Sequence, residues 1–279
     1  MANPIADPLV EAVDNDSQSR LVLLDATPGG VAFVTINRAG RRNAFNAEVI
    51  AALREVFETL EGADGIRAVF IRGAGGTFSA GADLEWMRDA ADHTEDDNRD
   101  DAMAMAVMLK HLYDLPMLTV ALVEGSAFGG GAGLAAACDM AIATADAKFA
   151  FSEVKLGLVA ATISPYVVAA IGARRSRGLF ALGRVFGAGE AKDFGLVDQV
   201  VADEAGLHAA AEAIAAEITA CAPGAVGESK RLVAHVAGRP VDHSLMAATA
   251  HWIARVRVGA EGQEGVRAFL ERRPPSWAE

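Results

Sequence analysis

Apolar residues occur along the chain in short β-rich runs that alternate with stretches of helical periodicity. The runs Leu21–Asp25 and Val31–Asn37 flank the turn sequence Thr27-Pro-Gly-Gly30, and this arrangement predicts a β-hairpin. Asn46 then provides an N-cap for a helix whose apolar residues repeat on one face. Further strands and helices are predicted in turn at Ala68–Arg72, Glu85–Ala91, Met103–Tyr113, Leu118–Val123 and Met140–Ala143. Repeated short strands separated by helices favour parallel α/β layering.

From Pro165 onward the pattern becomes almost wholly helical. Helices are predicted at Pro165–Ile171, Arg174–Leu182, Glu204–Thr219, Ala225–Val236, His243–Val258 and Glu261–Glu271. One β-like run, Leu196–Val201, interrupts them. We therefore expect a polar N-terminal tail over residues 1–20, an α/β core over residues 21–205 and a helical C-terminal segment over residues 206–279. A helical segment of this kind commonly serves subunit assembly.

The charge of the chain disfavours two classes of partner. A formal net charge of −12 over 279 residues repels nucleic acids and anionic membrane surfaces. An anionic small molecule is still compatible with this charge, because a few placed cations and helix N-termini can bind it locally. The acidic run Asp92–Asp101 is interpreted as a solvated loop or a helix start rather than as a site.

The cysteines and the N-terminal residues predict a cytoplasmic protein without a metal centre. Cys138 and Cys221 show no metal-ligand spacing and have no histidine cluster beside them, so free thiols in a reducing compartment are expected. Residues 1–20 have neither the basic region nor the apolar core of a signal peptide. The most apolar stretch, residues 118–145, is interrupted by Glu124 and by several glycines, and it is not interpreted as a membrane span.

Two segments rich in small residues follow predicted strands and precede predicted helices. The first is Phe78-Ser-Ala-Gly-Ala-Asp83, and the second is Gly129-Gly-Gly131. Small side chains leave backbone N–H groups open to a ligand, and N–H groups at the start of a helix favour negative charge. Each segment alone is equally compatible with an ordinary turn, in which Asp83 caps a helix or the glycines allow close helix packing. As a pair they are a more specific signal of a ligand site.

These segments belong to a larger set of motifs that runs from about residue 20 to residue 275. The set comprises Asn37-Arg38, Arg42-Asn43-Ala44, Phe78-Ser-Ala-Gly-Ala-Asp83, Gly125, Phe128-Gly-Gly-Gly131, Cys138-Asp139, Phe149, Ser152-Glu153, Leu156-Gly157, Ala188, Ala191, Gly195-Leu-Val197, Glu264-Gly, Ala268-Phe269 and Glu271-Arg272. It resembles the crotonase (enoyl-CoA hydratase/isomerase) superfamily. The runs Ala82–Met87, Phe128–Gly133 and Ser152–Leu158 are most similar to bacterial 3-methylglutaconyl-CoA hydratases of leucine degradation and to isohexenylglutaconyl-CoA hydratases.

The resemblance implies an α/β fold of the crotonase (ClpP-like) type, with stacked ββα units and a helical C-terminal segment that assembles homotrimers or hexamers. It implies an acyl-CoA thioester substrate and no separate cofactor, because coenzyme A enters as part of the substrate. The backbone N–H groups of Ala82 and Gly130 are expected to form an oxyanion hole for the thioester carbonyl. Substrate or CoA contacts are expected from Arg41, Arg42, Ala80, Asp83, Leu84, Trp86, Met87, Phe269 and Arg272. Glu85 stands where many relatives carry a lysine that contacts the CoA phosphates.

Glu153 is the predicted proton carrier. It lies in the otherwise apolar sequence Ala150-Phe-Ser-Glu-Val154, where a carboxylate is costly unless it is used or paired. A two-glutamate hydratase of the family would have its other glutamate where this chain has Gly133. A single base suits a Δ3,Δ2-enoyl-CoA isomerase, whereas the narrower resemblance favours hydration of a branched, methylglutaconyl-type 2-enoyl-CoA. A catalytically silent binding protein is the third alternative.

A methylglutaconyl-type substrate carries a second carboxylate at the far end of its acyl group. Such a carboxylate needs a cationic partner. Lys155 and the pair Arg174 and Arg175 are candidates, and exposed surface positions explain these residues equally well.

Overall fold

The computed structural model describes residues 20–278, so the tail predicted over residues 1–20 lies, except for Arg20, outside the described residues. The strands are β1 (Val22–Ala26), β2 (Val31–Ile36), β3 (Ala68–Gly73), β4 (Leu118–Val123), β5 (Ser126–Phe128), β6 (Met140–Thr144), β7 (Lys148–Ala150), β8 (Val185–Gly187) and β9 (Gln199–Val201). The predicted hairpin is confirmed: β1 and β2 pair antiparallel. Gly30 closes their turn at a φ of 77°, in the left-handed region that glycine adopts readily.

A six-stranded sheet forms the centre of the molecule, in the order β1-β2-β3-β4-β6-β9. From β2 onward all neighbouring strands are parallel. Parallel strands in such a sheet are covered on both faces, which explains why β2 and the first four residues of β3 are completely buried. The carboxyl ends of β3 and β4 lead into the two segments rich in small residues.

The helices largely follow the predicted periodicity. They are α1 (Ala47–Glu61), α2 (Leu84–Asp89), α3 (Glu95–Asp114), α4 (Gly130–Ala137), α5 (Ser164–Ile171), α6 (Ala173–Leu182), α7 (Ala188–Phe194), α8 (Glu204–Thr219), α9 (Pro223–Val236), α10 (His243–Val258) and α11 (Ala260–Glu271). Asn46 caps α1, as predicted, by accepting a hydrogen bond from the Val49 N–H at 3.0 Å. The acidic run is a helix start, because Thr94 and Asp97 form a capping box at the N-terminus of α3.

A second sheet of three strands, in the order β5-β7-β8, was not predicted from the sequence. Each of its strands has three residues, which is too short for a period-two pattern to stand out. In this small sheet β5 pairs with β7, and Phe128 lies opposite Ala150. It therefore places the residues before α4 beside those that precede Glu153.

Apolar side chains cover both faces of the main sheet. On one face α1, α3 and α4 bury a large cluster that includes Phe57, Met108 and Leu134. On the other face α8 buries residues such as Leu207 and Ala215 against β2, β3 and β4. The predicted boundary at residue 205 falls at the start of α8, and α8 packs on the sheet. The helices beyond the sheet are α9, α10 and α11.

The C-terminal helices are tied to the sheet at the amino end of β3. The Arg67 side chain donates to the carbonyls of Ile218, Thr219 and Trp277, which lie at the end of α8 and beyond α11. Within the described residues no single helix is long and apolar enough to cross a membrane; α8 and α9 pass such a test only together, and they meet at a bend of 102°.

Candidate active site

The segment from Phe78 to Asp83 leaves the N–H group of Ala82 without an acceptor among the described residues. The other N–H groups of this segment donate to Glu124 O, Ser126 O, Arg42 O, Ser79 Oγ and Phe45 O. A backbone N–H without a protein partner is uncommon in a folded chain and requires an explanation. Here Ala82 is exposed, so its N–H group can bond to solvent or to a ligand.

The pairing of Ala82 with Phe45 fixes the direction of this N–H group. In their parallel bridge, Phe45 N–H donates to Gly81 O at 2.7 Å and Asp83 N–H donates to Phe45 O at 2.8 Å. Such a bridge uses the groups of the residues before and after Ala82, so the N–H of Ala82 itself points to the opposite side. A Cβ added at Gly81 would lie 2.9 Å from Phe128 O, so the β5–α4 connection lies directly beside this segment.

The second group of unbonded N–H donors lies at the N-terminus of α4. Gly130 is the first residue of α4, and first-turn N–H groups have no acceptor inside their helix. The preceding Gly129 donates its own N–H to Ala150 O at 2.8 Å and adopts a φ of 48°. A Cβ added at Gly130 would lie 3.0 Å from both Phe45 and Met105. Phe45 therefore contacts both donor segments, a role that its sequence context did not indicate.

Glu153 lies beside Gly129. Its Oε1 atom would be 3.1 Å from a Cβ at Gly129, so the carboxylate lies directly against this glycine. The Oε2 atom is buried and has no hydrogen-bond partner among the described residues. Burial raises the pKa of Glu153 above its ordinary value, and no charged side chain offsets this rise. The predicted proton carrier and the predicted donor segment thus meet, through the contact between β5 and β7.

The space next to Gly133, where a side chain would lie, is occupied by Ile163. A Cβ at Gly133 would lie 2.1 Å from Ile163 Cγ2, the side chain that precedes α5. Ile163 is almost completely buried, with 2% of its surface exposed. A second glutamate therefore does not fit at this position unless Ile163 changes.

Asp83, expected to contact CoA, has its carboxylate engaged within the protein. Asp83 is 3% exposed, its Oδ2 accepts from Arg38 Nη1 at 2.5 Å, and its Oδ1 accepts from the N–H groups of Glu85 and Trp86. Burial alone would raise the pKa of Asp83, but these donors outweigh it and hold the pKa below its ordinary value. The side chain therefore positions the Ala82 segment and caps α2, as the alternative interpretation of the sequence had it.

The predicted phosphate-binding arginines lie at the surface next to this segment. Arg41 forms an ion pair with Glu85 at 2.9 Å, and both side chains are more than half exposed. Arg42 donates to Ser126 Oγ at 3.2 Å, and its carbonyl accepts the N–H of Ala80. Glu85 thus binds one of the two arginines proposed for the CoA phosphates.

The predicted acyl-pocket residues lie on α2. Leu84 is 76% exposed, whereas Trp86 and Met87 are half-buried, and Ala80 before them is half-buried too. Trp86 lines a small cavity of about 100 Å³ against α1 and α3. Ala80 and Leu84 each lie two positions from the Ala82 donor along the chain, and the role of these residues in an acyl pocket stays a prediction.

A larger cavity, of about 1100 Å³, has Glu153 among its lining residues. Its walls are the turn from Glu153 to Ala160 and one face of α6, which carries Arg174 and Arg177. Of the candidate partners for a distal carboxylate, Arg174 thus faces the cavity. Arg175 instead donates to Phe194 O at 3.1 Å, and Lys155 is not part of the lining. Arg177 was not predicted.

Phe269 and Arg272 are not brought to this site within one chain. Both lie at the end of α11, which packs against α9 and α10 near the amino end of β3. The site follows the carboxyl ends of β3 and β4, which are the opposite ends of these strands. Phe269 is 82% exposed, with Val266 and Leu270 exposed beside it on the same face of α11.

Comparisons with known proteins show which family the chain is similar to. Residues 26–279 match a family described as enoyl-CoA hydratase/isomerase. The chain is similar to the solved structure of an enoyl-CoA hydratase from Shewanella pealeana, with 34% identity, a TM-score of 0.90 and coverage of 95% of this chain and 100% of the other. It is also similar to Pseudomonas aeruginosa AtuE, with 36% identity, a TM-score of 0.89 and coverage of 93% and 100%. The 1,2-epoxyphenylacetyl-CoA isomerase of Escherichia coli is 31% identical over 91% of this chain and 97% of its own.

Proposed function

Because the chain belongs to the enoyl-CoA hydratase/isomerase family, we propose that it is a hydro-lyase that adds water to a 2-enoyl-CoA thioester. The proposed acyl group is branched and of the methylglutaconyl type. The observation that carries the proposal is the buried carboxylate of Glu153 against Gly129. Gly129 precedes the donor Gly130 and lies next to Gly81, the residue before the donor Ala82. These groups supply the two elements that the reaction needs, a proton carrier and an acceptor of negative charge.

In the proposed reaction, water attacks C3 of the enoyl group while Glu153 accepts one of its protons. The electron pair of the double bond moves toward C2, and negative charge develops on the thioester oxygen. Glu153 then gives the proton to C2, which yields a 3-hydroxyacyl-CoA. One carboxylate performs both transfers because the proton removed from water is the proton that C2 receives.

The donors at Ala82 and Gly130 would stabilise the enolate more than the ground state. They are fixed before the substrate arrives, Ala82 by its bridge to Phe45 and Gly130 by the start of α4. Fixed donors need no reorganisation when charge develops, and each is typically worth about 3–4 kcal/mol of barrier. The raised pKa of Glu153 suits its role as well, since a general base works best when its pKa approaches the working pH.

Enoyl-CoA isomerisation is the second candidate function. The observation that favours it is the contact between Ile163 and Gly133, which leaves no space for the second carboxylate of a two-glutamate hydratase. In an isomerase, Glu153 would take a proton from C2 of a 3-enoyl-CoA and return it to C4. The same oxyanion donors would hold the dienolate.

A spectroscopic assay distinguishes these functions. A hydratase removes the absorbance of the conjugated 2-enoyl thioester, an isomerase creates it from a 3-enoyl-CoA, and a catalytically silent protein does neither. We expect the first result with a branched 2-enoyl-CoA. Creation of absorbance from the 3-enoyl-CoA without loss from the 2-enoyl-CoA would refute hydration in favour of isomerisation.

We also propose that copies of the chain assemble through the C-terminal helices. The support is the exposed apolar stripe of Val266, Phe269 and Leu270 on α11, which in the family resemblance belongs to a trimerisation segment. Assembly would bring Phe269 and Arg272 to a neighbouring subunit. Sedimentation equilibrium should give a trimer or a hexamer, and a monomer at micromolar concentration would exclude this assembly.

A further inference from the structure

The cavity beside Glu153 contains two arginine side chains that the proposed hydration step does not use. Arg174 and Arg177 both line it, and neither forms a hydrogen bond or ion pair with the described residues. The rest of the lining is apolar apart from Glu153, with Leu158, Val159 and Phe180 among its members. A cavity with apolar walls and two unpaired guanidinium groups suits a ligand with an apolar body and an anionic end.

The two arginines lie on one stripe of α6. The lining positions Arg174, Arg177, Gly178 and Ala181 are spaced three, four and seven residues from the first, so they share one helix face. Gly178 and Ala181 have small side chains and contribute little bulk to this wall. Arg174 and Arg177 lie in the first half of the helix. Ser176 and Leu179, on the opposite face, are buried against the core. Both arginines are exposed, so their guanidinium groups are accessible to a ligand in the cavity.

The start of α6 carries positive charge that nothing in the described chain neutralises. Its first turn contains no acidic residue, and Gly172 provides no side-chain cap. A cation in the first turn of a helix is disfavoured by the helix dipole, and like charges three residues apart repel. In a chain with a formal net charge of −12, this uncompensated cluster is a local exception. A bound carboxylate would relieve both effects.

The arginines are not placed to act on the reacting carbons. Oε1 of Glu153 lies at Gly129, and within the described residues neither guanidinium group contributes to the pKa of Glu153. The turn that carries Glu153 nevertheless packs against α6, so one acyl chain can extend from the carboxylate of Glu153 along the cavity to the arginines. The oxyanion donors hold the thioester end of that chain.

We infer that Arg174 and Arg177 form a subsite for a carboxylate at the far end of the acyl group, so that the preferred substrates are CoA thioesters of dicarboxylic acids. This inference rests on the proposed function for the placement of the thioester. It assigns the specificity to guanidinium groups that can bind a carboxylate through two parallel hydrogen bonds. Lys155 and Arg175 have no part in it.

The test measures binding without turnover. Saturated thioesters are titrated calorimetrically in two pairs of equal chain length: glutaryl-CoA with valeryl-CoA, and adipyl-CoA with hexanoyl-CoA. We expect the wild-type protein to bind the dicarboxylic member of at least one pair more tightly, and the variant R174Q/R177Q to lose about 10-fold to 100-fold of that preference. The variant R175Q is the matched control, because it removes the same charge from the same helix outside the cavity.

Equal affinities within both pairs for the wild-type protein, or a preference that R174Q/R177Q retains, would overturn the subsite. A preference lost equally in R175Q would overturn it too, since that result would reflect only the net charge of α6. Sedimentation of each variant confirms that its assembly matches that of the wild type. Because these ligands are saturated, the outcome is independent of hydration: absence of hydratase activity with a retained carboxylate preference would refute the proposed function and leave the subsite standing.

Discussion

Replacement of Glu153 by glutamine should abolish turnover while the fold becomes more stable. The substitution keeps the size of the side chain and removes only its charge and its ability to carry the proton. Loss of a general acid–base group typically costs about 10²–10⁴ in rate. The structure favours the upper end of this range, because Ile163 occupies the space of a second carboxylate and, among the described residues, Glu153 is the only acidic residue that lines the adjacent cavity. We expect kcat to fall by about 10³–10⁴, or roughly 4–5.5 kcal/mol.

The effect on stability has the opposite sign. Burial raises the pKa of Glu153, so the folded protein holds this proton more tightly than the unfolded chain does. The resulting stabilisation is complete below the ordinary pKa of about 4.5 and is lost as the pH rises through the raised folded-state pKa. At neutral pH the charged carboxylate therefore lowers the free energy of unfolding, and Glu153→Gln removes that penalty. The gain should be clear at about pH 7–8 and should vanish at about pH 4.

Glu124→Gln is the matched control. Burial, with contributions from Glu204 and Asp146, also raises the pKa of Glu124, and none of the charged groups that affect this side chain belongs to the site. It should show a stability gain of the same sign and a kcat within about twofold of wild type. The measurements are the decay of 2-enoyl-thioester absorbance and urea denaturation at several pH values. A kcat for Glu153→Gln within tenfold of wild type, or an equal loss in Glu124→Gln, would refute the assigned role.

Three further substitutions test the surroundings of the site. Gly133→Ala should lower the free energy of unfolding by about 1–3 kcal/mol in urea denaturation, because its Cβ would lie 2.1 Å from Ile163 Cγ2. A second substitution, Ile163→Ala, should restore part of that loss. Additive effects of the two substitutions would contradict this contact. Asp83→Asn should lower the free energy of unfolding by about 3 kcal/mol, because it leaves the charge of Arg38 unpaired. It should also lower kcat more than it raises KM. An unchanged free energy of unfolding would exclude a structural role for the ion pair between Arg38 and Asp83. Glu85→Gln should lower KM for acyl-CoA by about twofold to fivefold at low salt, since it frees an exposed arginine for phosphate; an unchanged KM would remove that arginine from the CoA site.

Local sequence determined most of the secondary structure, and it contained the motifs from which the candidate site residues were chosen. The hairpin before α1, the cap at Asn46 and the helices after Pro165 depend on neighbouring residues, which a pattern of adjacent positions records directly. Ala82, Gly130 and Glu153 could be proposed because the motifs that contain them resemble those of a known family. The strands β5, β7 and β8 were missed as a sheet because three residues carry too little periodicity and their stability comes from pairing with distant segments.

Only the tertiary structure decided which contacts these residues make with distant parts of the chain. Six consecutive residues from Phe78 to Asp83 have similar N–H groups in the sequence, and the bridge to Phe45 leaves that of Ala82 open. Ile163 fills the space above Gly133, and Arg38 engages the carboxylate of Asp83. These contacts join residues 30 or more positions apart, so no local pattern encodes them. The sequence by itself determined which chemical groups are available; the packing of β5 and β7 decided which of them meet, because burial and pairing arise only when distant segments come together.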